Sequence, residues 1–213
     1  NPFASASPFA SAAAPIAFYH KSRLVPGVEK IPPVLASLIS HIDLGGFVGS
    51  YGSQAERTVY AAPANAPALR VAPVICYESI YGDFLSEYAH NGATLLGLIT
   101  NDAWWHDSPG YRQLLSYGTL RCIENRRDLA RSANTGFTGF INQKGELFQR
   151  EPAWVPTASR ATVHLNGEMT FYTRVGEWIG RSVQALALLL LGWTIIRAFA
   201  GPQMQPVGRH AER

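Results

Sequence analysis

Cys76 is the residue of this sequence best placed to act as a nucleophile. It directly follows an apolar run, residues 71–75, that is typical of a buried strand, and helical spacing begins after it. A cysteine at the start of a helix lies near the positive end of the helix dipole, which favours a thiolate, and a thiolate attacks acyl groups readily. Taken alone, a cysteine after a strand is more often a buried structural residue, so the neighbouring motifs decide the interpretation.

Lys21, Glu29 and Glu78 are the charged residues that could support such a thiol. A lysine ammonium can stabilise both a thiolate and a developing oxyanion. A carboxylate close to a cysteine can accept its proton when the carboxylate is buried. Each of the three would be an ordinary surface charge if it stood alone. Their weight comes from the motifs that contain them.

Strands and helices alternate along the sequence, which predicts an α/β fold built in layers. Strands are predicted at residues 16–21, 71–75, 94–100, 137–141 and 147–149, with a hairpin loop at residues 142–145. Helices are predicted at residues 35–42, after Cys76 with Ile80, Phe84, Leu85 and Tyr88 at helical spacing, and from 110 to about 131. Asn91 and Gly92 are expected to end the second helix, and Ser108 and Pro109 to begin the third.

The last part of the chain predicts a membrane-spanning helix. Residues 182–196 are uncharged and mostly apolar, and they lie between Arg181 and Arg197. Extending the helix to residues 179–200 gives a length of about 33 Å at roughly 1.5 Å per residue, close to the thickness of a bilayer core. The two arginines would then extend toward the head groups. The alternative is a buried core helix of a soluble protein.

Composition and charge exclude several classes of function. Apolar residues make up 47% of the 213 residues and charged residues 15%, well below the roughly 25% charged residues of typical soluble domains. The net charge of +3 is carried by scattered basic residues, so nucleic-acid binding is not expected. The histidines and the two cysteines have no metal-ligand spacing, and we expect neither a metal nor a cofactor. Cys122 is expected to be a structural thiol; a disulfide with Cys76 would disable the nucleophile.

Five segments, in order along the chain, resemble the motifs of bacterial apolipoprotein N-acyltransferases, which belong to the nitrilase, or carbon-nitrogen hydrolase, superfamily. Residues 19–26 (YHKSRLVP), followed by Glu29, resemble the lysine motif of that family, and residues 74–78 (VICYE) resemble its nucleophile motif. The other three segments are residues 100–105 (TNDAWW), 131–136 (RSANTG) and 172–178 (YTRVGEW). The last of these resembles the junction with the final transmembrane helix. Together the five motifs are specific, whereas none is specific alone.

The resemblance implies a nitrilase-like αββα sandwich followed by a C-terminal transmembrane helix, with a Glu-Lys-Cys triad. By motif position, Cys76 would be the nucleophile and Lys21 the stabiliser of the transition state. Glu29 and Glu78 would be supporting acids, and Tyr77 would line the site. Trp104 and Trp105 would line an acyl-chain cavity or simply fill the core.

The implied reaction transfers a fatty acyl chain from a phospholipid to Cys76, as a thioester, and then to the N-terminal amine of a diacylglyceryl-cysteine apolipoprotein. The implied location is the bacterial inner membrane, with the catalytic domain facing the periplasm. The corresponding domains are a low-complexity edge at residues 1–15, an incomplete catalytic domain at 16–170, a juxtamembrane segment and transmembrane helix at 171–200, and a basic cytoplasmic tail at 201–213.

Two features depart from the family pattern. The general-base glutamate of the family precedes its lysine motif, but residues 1–20 contain neither Asp nor Glu. Since the chain also begins at Asn1 rather than Met, we expect it to be the C-terminal part of a longer protein, and inactive alone. The spacer before Glu29 is PGV, where Pro-Phe-Gly is more usual. The alternatives are a nitrilase-fold amidase or carbamoylase that uses water as the acceptor, and an inactive membrane-anchored remnant.

Overall fold

A computed structural model describes residues 17–26, 29–30, 52–62, 64–106 and 108–201. The low-complexity edge predicted at residues 1–15 and the helix predicted at 35–42 lie outside these residues. All but the first residue of the predicted tail at 201–213 also lies outside them. Contacts divide the chain into two compact units, the first ending at Gly176 and the second beginning at Glu177.

Six strands in the described part of the first unit form one mixed sheet, in the order β1-β2-β3-β4-β5-β6. The strands are β1 (Tyr60–Ala61), β2 (Arg70–Ile75), β3 (Leu95–Thr100), β4 (Asp128–Ala133), β5 (Gly139–Ile141) and β6 (Leu147–Phe148). The helices of this unit are α1 (Gly82–His90), α2 (Gly110–Asn125) and α3 (Phe171–Val175), with 3₁₀ helices at Cys76–Ile80 and Asp102–Trp105. The order of elements confirms the predicted α/β class.

Strands β2, β3 and β4 are parallel, and this arrangement determines where the candidate site lies. Ile75 is paired with Ile99, and Thr100 is paired with Ala133. The outer strands β1, β5 and β6 are antiparallel to their neighbours. Because the carboxyl ends of parallel strands meet at one edge of a sheet, the turns after β2, β3 and β4 are brought together there.

The hydrophobic core lies between α1, α2 and one face of the sheet. The strands contribute alternate residues, as the period of two in a strand requires, including Ala72 and Val74 of β2 and Leu96 and Leu98 of β3. Helix α1 contributes Phe84, Leu85 and Tyr88. Burying a side chain of this size stabilises a fold by roughly 1.5–3 kcal/mol, so this cluster holds the three parallel strands in place.

The structure confirms the strands predicted at residues 71–75 and 94–100, and the hairpin between β5 and β6. Helix α1 ends at His90, just before Asn91 and Gly92, as predicted, and α2 begins directly after Pro109. The predicted cap is wrong, because the N-cap residue is Pro109 rather than Ser108 and no side chain caps the helix. The Ser108 hydroxyl accepts only the N–H of Gly110, at 3.4 Å.

Two further predictions were wrong, and a third, the helix after Cys76, is confirmed as an α-helix only from Gly82 onward. Residues 17–21 form no strand; the N–H of His20 binds the side chain of Gln54, and the N–H of Ser22, which follows the segment, binds Glu78, rather than a neighbouring strand. The segment after Cys76 begins as a 3₁₀ helix, and the α-helix starts only at Gly82. Helix α2 ends at Asn125 instead of near Arg131, because Arg126 adopts the left-handed conformation with φ +51°. The chain then turns into β4, which pairs with β3.

The second unit contains helix α4 (Trp178–Ala200). Its segment Trp178–Phe199, 22 residues with a mean hydropathy of 1.6, is the one helical stretch among the described residues long and apolar enough to cross a membrane. None of its most apolar window is buried within the structure. This exposure does not fit the alternative of a buried core helix.

Candidate active site

Cys76 lies on a sharp turn at the carboxyl end of β2. Its φ of +51° is left-handed, a conformation that costs a non-glycine residue about 1–2 kcal/mol. Strain of this kind concentrates at functional sites, where the surrounding structure imposes it. Ser79 Oγ donates a hydrogen bond of 2.8 Å to the carbonyl oxygen of Cys76, which closes the 3₁₀ turn. The half-buried thiol therefore lies on a strained turn at the edge of the sheet.

Glu78, two residues further on, is fully buried and binds two distant parts of the chain. Its Oε2 accepts the N–H of Ile75 at 2.8 Å, directly before the turn Cys76–Ile80. We call this the nucleophile turn, after the role predicted for Cys76. Its Oε1 accepts the hydroxyl of Tyr19 at 2.7 Å and the N–H of Ser22 at 2.5 Å. Hydrogen bonds to a carboxylate are stronger than those between neutral groups. Glu78 therefore fastens the segment that contains Lys21 to the turn that contains Cys76.

Lys21 and Glu29 form an ion pair. Lys21 Nζ lies 2.7 Å from Oε1 and 2.6 Å from Oε2 of Glu29, and the lysine side chain is only 12% exposed. Glu29 Oε2 also accepts the N–H of Val25 at 2.8 Å. The carboxylate thus holds both the ammonium group and the backbone of the intervening turn. The ammonium keeps a fixed position, as a group that stabilises an oxyanion must.

Tyr77 stands between Cys76 and Glu78 in the sequence. Its ring packs edge-on against that of Tyr81, with ring centroids 5.5 Å apart. The guanidinium of Arg23, from the lysine segment, lies 5.4 Å from the centre of the Tyr81 ring. Burial and the neighbouring Tyr77 hydroxyl raise the pKa of Tyr81. The two tyrosines thus provide a second contact between the lysine segment and the nucleophile turn.

Trp104 and Trp105 belong to the 3₁₀ turn after β3, and their side chains are 61% and 42% exposed. Of the two alternatives given for them, filling the core is wrong, because both side chains are exposed. The Trp105 ring lies over the start of α2, where a Cβ on Gly110 would meet it at 2.1 Å. The two indoles form an exposed apolar surface beside the edge that carries Cys76.

Asp102 and Arg131 form a buried ion pair beneath the two tryptophans, and sequence reasoning missed it. Arg131 Nη2 lies 2.8 Å from Asp102 Oδ2, and both side chains are 1% exposed. Thr100 donates its hydroxyl to Asp102 Oδ1 at 2.8 Å. Both charged residues lie in motifs noted from the sequence, but the strand β4 that brings Arg131 to this edge was predicted as a helix.

Asn134 and Gly136 complete this network after β4. Asn134 Oδ1 accepts the N–H of Asp102 at 3.1 Å, and its amide donates to Asn101 Oδ1 at 2.7 Å. A Cβ on Gly136 would lie 1.7 Å from Asp102 Oδ2, so only glycine fits against the carboxylate. Residues of the RSANTG motif thus hold the turn Asp102–Trp105, which we call the tryptophan turn.

Cys122 is free, like Cys76, and is buried in α2 against the sheet. Burial, with the nearby Asp128 carboxylate, raises the pKa of the Cys122 thiol. The expectation that it is a structural thiol fits this position. Across the described residues, no group of three or more His, Cys, Asp or Glu side chains is arranged to hold a metal ion.

A family model of carbon-nitrogen hydrolases matches residues 7–168. The match covers more than half of the sequence, and the chain therefore belongs to the carbon-nitrogen hydrolase family, whose nitrilase-type fold agrees with the mixed sheet. Within that family, the chain resembles apolipoprotein N-acyltransferases. It is 38% identical over 168 residues to the apolipoprotein N-acyltransferase of Chlorobaculum tepidum, covering 76% of this chain and 31% of that protein.

A second apolipoprotein N-acyltransferase, from Azotobacter vinelandii, is 34% identical over 186 residues, covering 84% of this chain and 33% of that protein. The chain spans about a third of the length of these curated relatives. Among solved structures, an amidase from Nesterenkonia sp. is 14% identical with a TM-score of 0.44, covering 63% of this chain and 49% of that one. The family assignment rests on the family model and the sequence relatives.

Proposed function

We propose that this chain carries the nucleophile half of an apolipoprotein N-acyltransferase, and that Cys76 transfers a fatty acyl chain through a thioester. The observation that carries the proposal is the turn after β2. There the strained backbone of Cys76 and the buried Glu78 join the nucleophile to the segment of Lys21. The names of the relatives support the substrate class, a lipoprotein acceptor.

In the first step, the sulfur of Cys76 attacks the ester carbonyl of a phospholipid. The new carbon–sulfur bond forms, the carbon–oxygen bond of the ester breaks, and the lysophospholipid leaves as an alcohol after taking a proton. Lys21, held by Glu29, stabilises the oxyanion of the tetrahedral intermediate. The proton acceptor in this proposal is the glutamate that the family resemblance places before the lysine motif.

In the second step, the N-terminal amine of the diacylglyceryl-cysteine attacks the thioester. A carbon–nitrogen bond forms and the carbon–sulfur bond breaks. The proton lost by the amine goes to the released sulfur, which restores the thiol of Cys76. An amine is a good acceptor for a thioester, so the chemistry needs neither a metal nor a redox group. Tyr77, Trp104 and Trp105 are proposed to contact the acyl chains, and the exposure of both indoles supports this role.

The membrane is the proposed location, because both substrates are lipids. The apolar, exposed segment Trp178–Phe199 supports an anchor of this kind. We propose a catalytic domain at residues 16–170, facing the periplasm from the inner membrane of a bacterium. A juxtamembrane segment and spanning helix at 171–200 and a basic cytoplasmic tail at 201–213 follow it.

The test is acyl transfer by the complete protein, purified from membranes, to a diacylglyceryl-cysteine peptide. Amide product should form from phospholipid with the wild type, and Cys76→Ala should abolish it. Lys21→Met should lower the rate by at least about a hundredfold, as loss of an oxyanion donor does. Cys122→Ala serves as the matched thiol control and should retain activity. Release of free fatty acid in place of the amide would instead indicate a hydrolase.

A further inference from the structure

The carboxylate of Glu78 is surrounded by donors from two segments far apart in the sequence. Besides Tyr19, Ser22 and Ile75, the N–H of Arg23 points to Oε1 at 3.3 Å. Three of these four donors share Oε1, and the N–H of Ile75 binds Oε2, so both oxygens of the carboxylate are engaged. A side chain occupied in this way is suited to holding the two segments together.

Tyr19 is the one side chain among these four donors, and two features fix its place. Its ring packs edge-on against Tyr88 of α1, with centroids 6.4 Å apart. Its hydroxyl also lies 3.0 Å from Ser22 Oγ, one residue beyond Lys21. The aromatic ring therefore belongs to the core, and the hydroxyl belongs to the contact between the lysine segment and the nucleophile turn.

We propose that Tyr19 is a positioning residue: its hydrogen bond to Glu78 sets the position of Lys21 relative to Cys76. The inference rests on the proposed function for its catalytic consequence. The backbone N–H groups that bind Glu78 are present with any residue except proline at those positions, whereas the hydroxyl depends on a tyrosine at position 19. It is therefore the part of this contact at which the sequence controls the alignment of the site.

The test compares Tyr19→Phe with the wild type in the complete protein. The substitution keeps the ring against Tyr88 and removes only the hydroxyl. Loss of a hydrogen bond to a charged group should lower kcat for acyl transfer by about tenfold to a hundredfold. The KM for phospholipid should stay within roughly twofold, because no lipid contact is lost. Tyr117→Phe, on the exposed face of α2, is the matched control and should change neither value.

A double-mutant cycle with Glu78→Gln distinguishes positioning from a general loss of stability. If the hydroxyl acts through Glu78, Tyr19→Phe should have a much smaller effect on kcat in the Glu78→Gln background than in the wild type. Equal effects in both backgrounds would overturn the proposal. So would a Tyr19→Phe variant whose kcat, corrected for the folded fraction, equals that of the wild type.

A second readout needs no lipid. The rate of alkylation of Cys76 at fixed pH should fall by roughly threefold or more in Tyr19→Phe, because a displaced ammonium favours the thiolate less. Equal alkylation rates in the wild type, Tyr19→Phe and Tyr117→Phe would overturn the positioning role. A wild type that forms no amide while Tyr19→Phe still slows alkylation would count against the proposed function alone.

Discussion

Two neighbouring turns at the edge of the sheet have the same design and different partners. The turn Cys76–Ile80 follows β2 and the turn Asp102–Trp105 follows β3, and both are 3₁₀ helices. Each contains a carboxylate with almost no exposure, since Glu78 is 0% and Asp102 is 2% exposed. Each carboxylate also reaches beyond its own turn to a distant segment.

The partners of the two carboxylates differ in charge. Glu78 accepts hydrogen bonds from backbone N–H groups and a tyrosine hydroxyl, whereas Asp102 is paired with the guanidinium of Arg131. The first arrangement depends on several neutral donors, so losing one loosens the contact without leaving a bare charge. The second depends on one cation and the Thr100 hydroxyl, so loss of Arg131 leaves a buried carboxylate without its cationic partner. We call the nucleophile turn the adjustable turn, because Glu78 keeps most of its donors when one is lost. We call the tryptophan turn the locked turn, because Asp102 depends on the single cation Arg131.

The largest expected effect comes from breaking the locked turn. Arg131→Met should lower the free energy of unfolding by about 3–5 kcal/mol, because the buried Asp102 side chain loses its cationic partner. Arg160→Met, on the exposed surface, should stay within about 0.5 kcal/mol of the wild type. Denaturant unfolding of the complete protein measures both. A loss below about 1 kcal/mol for Arg131→Met would show that the lock does not depend on the cation.

The tryptophan turn can also be tested by placing a methyl group against Asp102. In Gly136→Ala the new methyl group would lie 1.7 Å from Asp102 Oδ2, and overpacking of this kind typically costs about 1–3 kcal/mol. Fluorescence of the exposed tryptophans should change with it. Gly167→Ala is the control, because nothing lies within 4 Å of a Cβ at that position. Identical stabilities for the two variants would contradict the close approach of Gly136 to Asp102.

The strain in the adjustable turn predicts a smaller effect. Glycine at position 76 adopts the left-handed backbone conformation without the steric cost that cysteine has there. This gain offsets the larger conformational entropy that glycine loses on folding, so the free energy of unfolding of Cys76→Gly should stay within about 1 kcal/mol of the wild type. The same substitution at the buried Cys122, inside α2, should cost at least about 2 kcal/mol. Thermal unfolding compares them. Equal losses at both positions would show that Cys76 is not strained.

The smallest effect concerns the buried thiol. Because burial raises the pKa of Cys122, its thiol should stay protonated and unlabelled by an alkylating reagent as pH rises through the ordinary thiol value of about 8.5. Cys76 should be labelled in the same sample. Above about pH 8.5 the thiol ionises in the unfolded chain but not in the folded one, which favours the unfolded state. The contribution of Cys122 to stability is therefore fully present below that pH and declines above it. Labelling of native Cys122 at the rate of Cys76 would contradict its burial.

Local sequence signals identified the parts of the fold that depend on local structure. Compact apolar runs predicted β2 and β3, and the NQKG segment predicted the hairpin. The segment Asp128–Ala133 was different, since the helix predicted from residue 110 was expected to reach about Arg131, inside this segment. Its pairing with β3 makes it a strand, and the charge of the buried Arg131 is matched by Asp102, which follows β3.

The candidate site was predictable to the extent that it lies in short motifs. Cys76, Lys21, Glu29 and Glu78 all stand in such motifs, and the structure pairs Lys21 with Glu29 and connects Glu78 to the lysine segment. The contact between Tyr19 and Glu78 spans 59 positions, and no periodic pattern in the sequence records a contact of that length. The same holds for the ion pair of Asp102 and Arg131.

A mass spectrum of the complete protein after incubation with phospholipid tests directly whether Cys76 carries an acyl thioester. We expect a fatty-acyl mass on the peptide that contains Cys76, removed by hydroxylamine and absent in Cys76→Ala. The peptide of Cys122 should carry no adduct. An unmodified Cys76 peptide under conditions where amide product forms would contradict a thioester at this residue.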